Sequence, residues 1–479
     1  MGYKAGIDKH QLSLLPASME EYVPQNHICR VITAFTEQLD MKRLGYKYAE
    51  CKETGCNPYD PRMMLNLYIY GYLHRVRSSR RLRDEAGRNV EVMWLLDGLR
   101  PDDKTICNFR KDNRIALQAT FRELSLILRE LGLYSRELVA TDGVKIRANN
   151  SIKNNHNAVV IKNELARTEA KISEYLEALD RADKESEGEH EPSSEEIKAA
   201  IEKLKKRERT CKVLQERIEK EGEVSTIDPD ARMMYSGGDG RKLDVCYNIQ
   251  TVVDSKHNLI VDFKVTNCSS DTGNLHTLSE QAKTILGVQT LTTLADKGYY
   301  SGEDIVACEQ NGITCLVAKK KSSGEKKADG FNHGDFIYDR ERDLYSCPCK
   351  QELRPTWNKR HISGRNYQVY SNTTACKICQ KKALCTKYRY REVYRLLFQD
   401  VLDQVDERTR THKALYKKRG AIVEHPFGTI KAIWGYKQFL CRTMPKVAVE
   451  MALTYTAYNL RRLFTIFTEN GNRPIGVFG

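Results

Sequence analysis

Apolar residues recur at helical spacing through the first part of the chain and switch to short alternation after Tyr134. Asp60-Pro61 supplies an N-cap followed by proline at the first helical position, and MMLNLYIYGYLHRV behind it predicts a helix ending before Ser78-Ser79. Those serines predict the cap of a second helix, SRRLRDEAGRN. A third, VEVMWLLDG, is expected to stop at Gly98, ahead of Pro101. Asp103 is expected to cap one long amphipathic helix, KTICNFRKDNRIALQATFRELSLILRELG. Short helices joined by tight turns suit a helix-turn-helix arrangement, and residues 1–133 read as one helical domain.

RELVATDGVKIRA is rich in β-branched residues and reads as a strand that breaks at Gly143. Val159 to Glu223 is rich in Glu and Lys, with Leu165, Ile172, Leu176 and Leu179 at helical spacing and ESEGEHEPSSEE interrupting it. Residues 151–225 therefore read as an inserted helical hairpin. Strands return in KLDVCYNIQTVVD and NLIVDFKVTN, joined by a turn at Asp254 to Asn258. A helix at Leu275 to Leu286, the strand QTLTTLAD, a helix at Gly302 to Asn311 and the strand GITCLVAK follow. This mixed α/β order matches an RNase H-like mixed sheet, built from residues 134–150, 226–320 and 396–467. Residues 321–395 are polar, tyrosine-rich and cysteine-rich and read as a second insertion, and Leu396 to Phe467 is helical.

Composition narrows the partners. The chain has 479 residues, which implies several domains, and a net charge of +14. Such a basic excess captures polyanions. Nucleic acid is the expected one, because no apolar run is long enough for a bilayer. Met1 to Leu15 lacks a signal-peptide core. The 15 cysteines are odd in number, and several, such as Cys246 and Cys315, stand alone in apolar stretches, which fits a reducing cytoplasm. Arg75, Arg77, Arg80, Arg81, Arg83, Lys104, Arg110 and Lys111 concentrate charge on the first helices and are the candidate DNA contacts there.

Phosphoryl transfer on DNA uses two divalent cations about 3.5–4 Å apart. Hard cations such as magnesium or manganese take carboxylate oxygens, so three acids must be gathered from separate elements. Asp142 in VATDGVKI and Asp296 in TLADKGYYSG stand on strands, and Glu424 in KKRGAIVEHPFGTIKAIWGY stands on a predicted helix. Asp228, Asp230, Asp239, Asp244, Asp254 and Asp271 compete for the same role; Asp271 is the foremost rival, ranked below Asp296 because its strand-end and glycine setting is less clear.

The motifs TDG, ADKGY and VEHPFGTIK, together with YDPRMMLNLYIYGYL, DDKTICNFR, DPDARMM and NCSSDTGNL in that family's order, resemble bacterial insertion-sequence transposases with a DDE triad. The resemblance runs through most of the chain. It implies metal-dependent cleavage and strand transfer at element ends by Asp142, Asp296 and Glu424, acting on double-stranded DNA as a homodimer or higher oligomer. A Tyr, Arg, Glu, Lys signature of the family maps onto Tyr416, Arg419, Glu424 and Lys431, of which Tyr416, Arg419 and Lys431 are candidate DNA contacts. The gap from Arg419 to Glu424 is one residue longer than usual, which rotates the arginine by about 100° and speaks against Arg419 as a phosphate contact. Lys431 is expected two turns past Glu424 on the same side. His425 points about 100° from Glu424 and is expected to touch DNA or the core. Cys347, Cys376, Cys379 and Cys385 have the spacing of a structural zinc site, with Cys349 as an alternative to Cys347.

Overall fold

The computed structural model describes residues 18–50, 57–182, 194–236, 242–319 and 330–469. Asp239 and Met1 to Leu15 lie outside them.

After a single helical turn at Met19–Tyr22, six longer helices among the described residues build the N-terminal bundle: α1 (Ile28–Glu37), α2 (Pro61–Leu73), α3 (Ser79–Arg88), α4 (Val90–Leu95), α5 (Asp103–Asp112) and α6 (Arg114–Glu130). Asp60 caps α2, its side chain accepting from the Arg62 amide at 2.7 Å. The long helix expected from Asp103 differs in two ways. Asp102 is its cap, accepting from the Thr105 amide at 2.6 Å, and the run is split at Asn113. The buried Asn113 side chain accepts from the Lys47 amide at 2.6 Å and donates to the Phe109 carbonyl at 2.9 Å. An asparagine that bonds backbone in this way competes with helix continuation.

β1 (Leu138–Arg147) runs through Gly143 instead of breaking there. Its antiparallel partner β3 (Lys242–Asp254) keeps pairing past that point, with Asp142 opposite Thr251 and Gly143 opposite Gln250. With β2 (Arg232–Ser236), β4 (Ile260–Thr266), β5 (Leu291–Ala295) and β6 (Ile313–Val317), these strands form one mixed sheet in the order β2-β3-β1-β5-β6, with β4 also paired to β3. β1, β5 and β6 are parallel, and the crossover that parallel strands require is supplied between β5 and β6 by α10 (Gly302–Gln310). α9 (Leu275–Leu286) connects β4 to β5 and packs on both.

Two segments interrupt this sheet domain. Between β1 and β2, α7 (Ala158–Ala182) and α8 (Ser194–Glu221) pack on each other around Ile161, Cys211, Leu214 and Ile218. Between β6 and the C-terminal helices, β7 (Ile337–Asp339), β8 (Leu344–Ser346), β9 (Glu352–Ile362), β10 (Arg365–Ser371) and β11 (Glu392–Leu396) form a separate antiparallel sheet in the order β11-β10-β9-β8-β7.

α11 (Gln399–Thr411) and α12 (Lys413–Phe427) return the chain to the main sheet, where α12 lies against β1, β3 and β5. Pro426 sits inside α12 and has no amide to donate, and the next turn, Gly428–Ile433, widens into a π-helix. α13 (Met444–Glu469) then inserts between the bundle and the sheet, packing on α1, α2, α6 and β4. Its Asn459 side chain both accepts from the Ile260 amide at 2.9 Å and donates to the Ile260 carbonyl at 2.8 Å. One continuous apolar core thus joins the N-terminal helices, the sheet and α13.

Candidate active site

Parallel pairing sets the geometry. Thr141 of β1 lies in register with Ala295, the last residue of β5, so Asp142, still within β1, stands beside Asp296 just past the end of β5. Asp296 also caps the short turn Lys297–Tyr299 by accepting from the Gly298 amide.

A third carboxylate enters from the loop before α9. A Cβ on Gly143 would stand 2.6 Å from Asp271 Oδ1, 2.7 Å from Gln250 Nε2 and 3.0 Å from Asn248 Oδ1. A Cβ on Gly298 would stand 2.7 Å from Asp296 Oδ1 and 3.1 Å from Asp271 Oδ2. Asp271 is therefore wedged between the glycines of TDG and ADKGY, and both motifs lack a side chain where it passes. Its Oδ1 accepts from Asn248 at 2.9 Å and from Gln250 at 2.7 Å. The Tyr299 hydroxyl donates to Gln250 Oε1, which fixes that amide with its NH2 toward Asp271. Oδ2 is left for the site.

Arg419 answers the acids from α12. Its Nη1 donates to Asp142 Oδ2 at 2.8 Å, with both side chains about one quarter exposed. Arg419 is thus turned onto the Asp142 carboxylate. Burial raises the Asp142 carboxyl above its ordinary range and Asp296 adds to the rise, while Arg419 and the Gly143 amide pull it down. Tyr416, one turn before Arg419, feels both Arg419 and Asp296, and burial raises its hydroxyl. Glu424 is exposed, with its Oε1 3.6 Å from where a Gly420 Cβ would be. Among the described residues, no three of these acids bring their oxygens within 4.8 Å of one another.

The π turn changes the reading of Lys431. The expectation that it shares the face of Glu424 assumed an unbroken α-helix; Lys431 instead lies inside the widened turn, half-buried, and burial lowers its ammonium pKa. His425 is a core contact, its Nδ1 2.7 Å from the Tyr458 hydroxyl. The other rival acids are engaged elsewhere. Asp254 accepts from Ser135 and Lys256 amides, Asp228 from Tyr247 and the Thr443 amide, Asp230 from the Met444 amide at the start of α13, and Asp244 from Ser236.

A transposase DDE domain family matches residues 218–460, just over half of the chain, and a transposase domain (DUF772) matches residues 17–112. The chain belongs to the DDE transposases. Asp142 lies ahead of the DDE-domain match, and the β1–β5 register brings it beside Asp296. No curated protein matches. A piggyBac transposase synaptic complex with hairpin DNA is similar at 7% identity and a TM-score of 0.31, over 94% of this chain and 75% of that one, a likeness too slight to bear on function.

This DDE transposase uses its N-terminal cations unequally. Arg75, Arg81, Lys104 and Lys111 are exposed. Arg80 and Arg83 reach Asp103, Arg80 at 3.8 Å and Arg83 at 3.1 Å, and so tie α3 to α5. Arg77 and Arg110 are turned inward and make structural contacts in the free protein. Arg77 donates to the fully buried Glu450 at 3.1 Å and lies over the Tyr436 ring. Arg110 lies over Tyr68 and donates to the Tyr72 hydroxyl at 3.4 Å.

All five cysteines of the second insertion line one apolar cavity. Cys349 and Cys379 have their sulfurs 3.8 Å apart, so Cys349 belongs to the group as closely as the four favoured in sequence. The Gln351 amide donates to Cys347 Sγ at 3.4 Å.

Proposed function

We propose that this DNA transposase cleaves the phosphodiester at the ends of an insertion sequence and joins the freed 3′-hydroxyl to target DNA. The observation that carries this is the meeting of Asp142, Asp271, Asp296 and Arg419 at one end of the mixed sheet. The residues fit a hard divalent cation. The donors are carboxylates, the two glycines leave a cradle that any Cβ would fill, and Asn248, fully buried beside it, has an Oδ1 without a hydrogen-bond partner. Asp142, Asp296 and Glu424 would hold magnesium or manganese, and Asp271 Oδ2 joins them as a fourth carboxylate. When bound, the cations supply Lewis acidity toward the phosphodiester.

The chain's own residues do the rest. Asn248, Gln250 and Tyr299 hold Asp271 in one orientation. Arg419 neutralises Asp142 in the free protein and is placed to turn its guanidinium onto a phosphate when a cation takes its place. Exposed Arg75, Arg81, Lys104 and Lys111 contact the DNA backbone. Joining two element ends takes two active sites, so the working unit is a homodimer or larger. In the second insertion the 3.8 Å sulfur pair matches the spacing of two thiolates on one tetrahedral zinc, about 3.8 Å for bonds of about 2.3 Å, and the site would hold zinc as a structural prop.

Asp142→Asn tests the reading in a strand-transfer assay with element-end DNA and magnesium. Cleavage is expected to fall at least about a hundredfold while DNA binding stays within about twofold. Cleavage retained in that variant overturns the acid assignment. Wild-type cleavage without joining makes the chain a nuclease instead.

A further inference from the structure

Residues 330–396 carry fourteen Lys and Arg against six Asp and Glu, a net +8 of the chain's +14. Some of that charge is used internally: Arg342 and Arg354 pair with Glu352, Arg395 with Asp400 and Asp403, and Arg360 makes a loose pair with Glu392 at 4.0 Å, which a phosphate would have to replace. Part of the rest lines one groove. The run Lys387-Tyr388-Arg389-Tyr390-Arg391 alternates cation and aromatic ring, and it faces Arg360 of β9 and Tyr394 of β11 across an open groove. The tyrosines there are not core residues. Phe336, Tyr345 and Tyr370 fill the core of this sheet, whereas Tyr388 is 81% exposed. Arg391 has a buried Nε with no hydrogen-bond partner. A surface needed only for solubility has no use for rings held in water beside arginines.

The groove is also tied to the acids. Arg365, at the start of β10, makes a two-pronged bond to Glu303 of α10 at 2.6 and 3.1 Å. Glu303 lies seven positions after Asp296 in the chain, so the second insertion is braced against the helix that follows the Asp296 turn.

We propose that the groove between Arg360 and the Tyr388–Tyr394 segment binds a single-stranded stretch of DNA, its phosphates on Arg360 and Arg389 and its bases stacked on Tyr388 and Tyr390. A duplex hides its base faces and offers such rings nothing; unpaired bases stack on them with little regard for sequence. The inference rests on the transposase reading for its choice of DNA and adds a strand-separated region next to the cleavage point.

The test uses the full chain, fluorescence anisotropy and a labelled thymidine oligonucleotide, in chelator so that cleavage plays no part. Tyr388→Ala with Tyr390→Ala is expected to weaken single-strand binding at least about tenfold and duplex binding of random sequence far less. Tyr388→Phe with Tyr390→Phe keeps the rings and is expected to bind as wild type. Arg360→Ala with Arg389→Ala should flatten the log–log salt dependence for the single strand by about 1.4, from about 0.7 per phosphate contact. Single-strand affinity unchanged in the tyrosine variant, with its melting curve intact, overturns the proposal. So does an equal loss for single strand and duplex, which marks a general electrostatic surface, or a tenfold preference for a uridine ribo-oligonucleotide. Failure of the Asp142 assignment would appear only in the cleavage assay, so the two readings fail separately.

Discussion

Gly143 and Gly298 are dictated by a residue that neither adjoins in sequence. Asp271 occupies the space of both missing side chains. Gly143→Ala should therefore cost about 1–3 kcal/mol by overpacking and displace Asp271, with manganese binding lost in parallel. Denaturant unfolding and manganese titration check it. Gly87 in α3 is the control, with nothing within 4 Å of its added Cβ; Gly87→Ala is expected to gain up to about 1 kcal/mol. The importance of Asp271 was hard to read along the chain because it stands in a loop, and its contacts, Gly143, Asn248, Gln250 and Gly298, are all remote in sequence. Asp142 and Asp296 were easier, since each stands in a recognisable strand pattern followed by glycine, although β1 runs on past Asp142. A second carboxyl offers a pH test. Burial pushes Asp262 of β4 up to about 6. Its folded pKa exceeds the unfolded one, so its contribution is fully present below about pH 4 and is lost as pH rises through about 6. Asp262→Asn should thus raise stability at pH 7 by about 1–3 kcal/mol and leave it unchanged at pH 4. Melting curves at the two pH values decide; a gain equal at both removes the cause.

At the level of elements, the strands and most helix starts were legible because apolar periodicity and caps are local signals. The two departures in the helices have non-local or subtle causes. Asn113 breaks the α5–α6 run through a bond to Lys47, and the helix that carries Pro426 ends in a π turn at Gly428–Ile433. The second insertion folds as its own sheet, with a small core and a cavity lined by five cysteines. Purified protein is expected to hold about one zinc per chain. Cys379→Ser should release it and lower the melting temperature, while leaving single-turnover cleavage within about tenfold. Metal analysis showing no zinc in freshly purified protein sinks the expectation.

On the scale of the whole molecule, the N-terminal bundle is not a detachable module. α13 is sandwiched between it and the sheet, and buried apolar residues run without a gap from α1 to Ile466. A chain lacking residues 1–133 is expected to be aggregated or molten by near-ultraviolet circular dichroism. A folded, monodisperse product would show the bundle to be independent. The same joint takes one member of the basic stretch Arg75 to Arg83: Arg77 is spent on Glu450, which also accepts from the Leu440 and Cys441 amides. Arg77→Ala should destabilise the fold by about 3–5 kcal/mol, because it strands a buried carboxylate, whereas Arg81→Ala should leave stability unchanged and lower only the salt dependence of DNA binding. Sequence periodicity showed that each segment was helical; it carried no record of which distant helix would cover which face.

That sandwich also sets an order in time. α2 is complete at Leu73, and the helix that covers it begins at Met444. Synthesis at about 5–20 residues per second separates the two by roughly 20–70 s. Throughout that interval the nascent bundle carries an uncovered apolar face, and the sheet ends bearing Asp142 and Asp296 lack α12 and Arg419. The DNA-cutting form therefore assembles late in translation, and a cell that slows or truncates the last stretch of synthesis is left with chaperone substrate instead of enzyme.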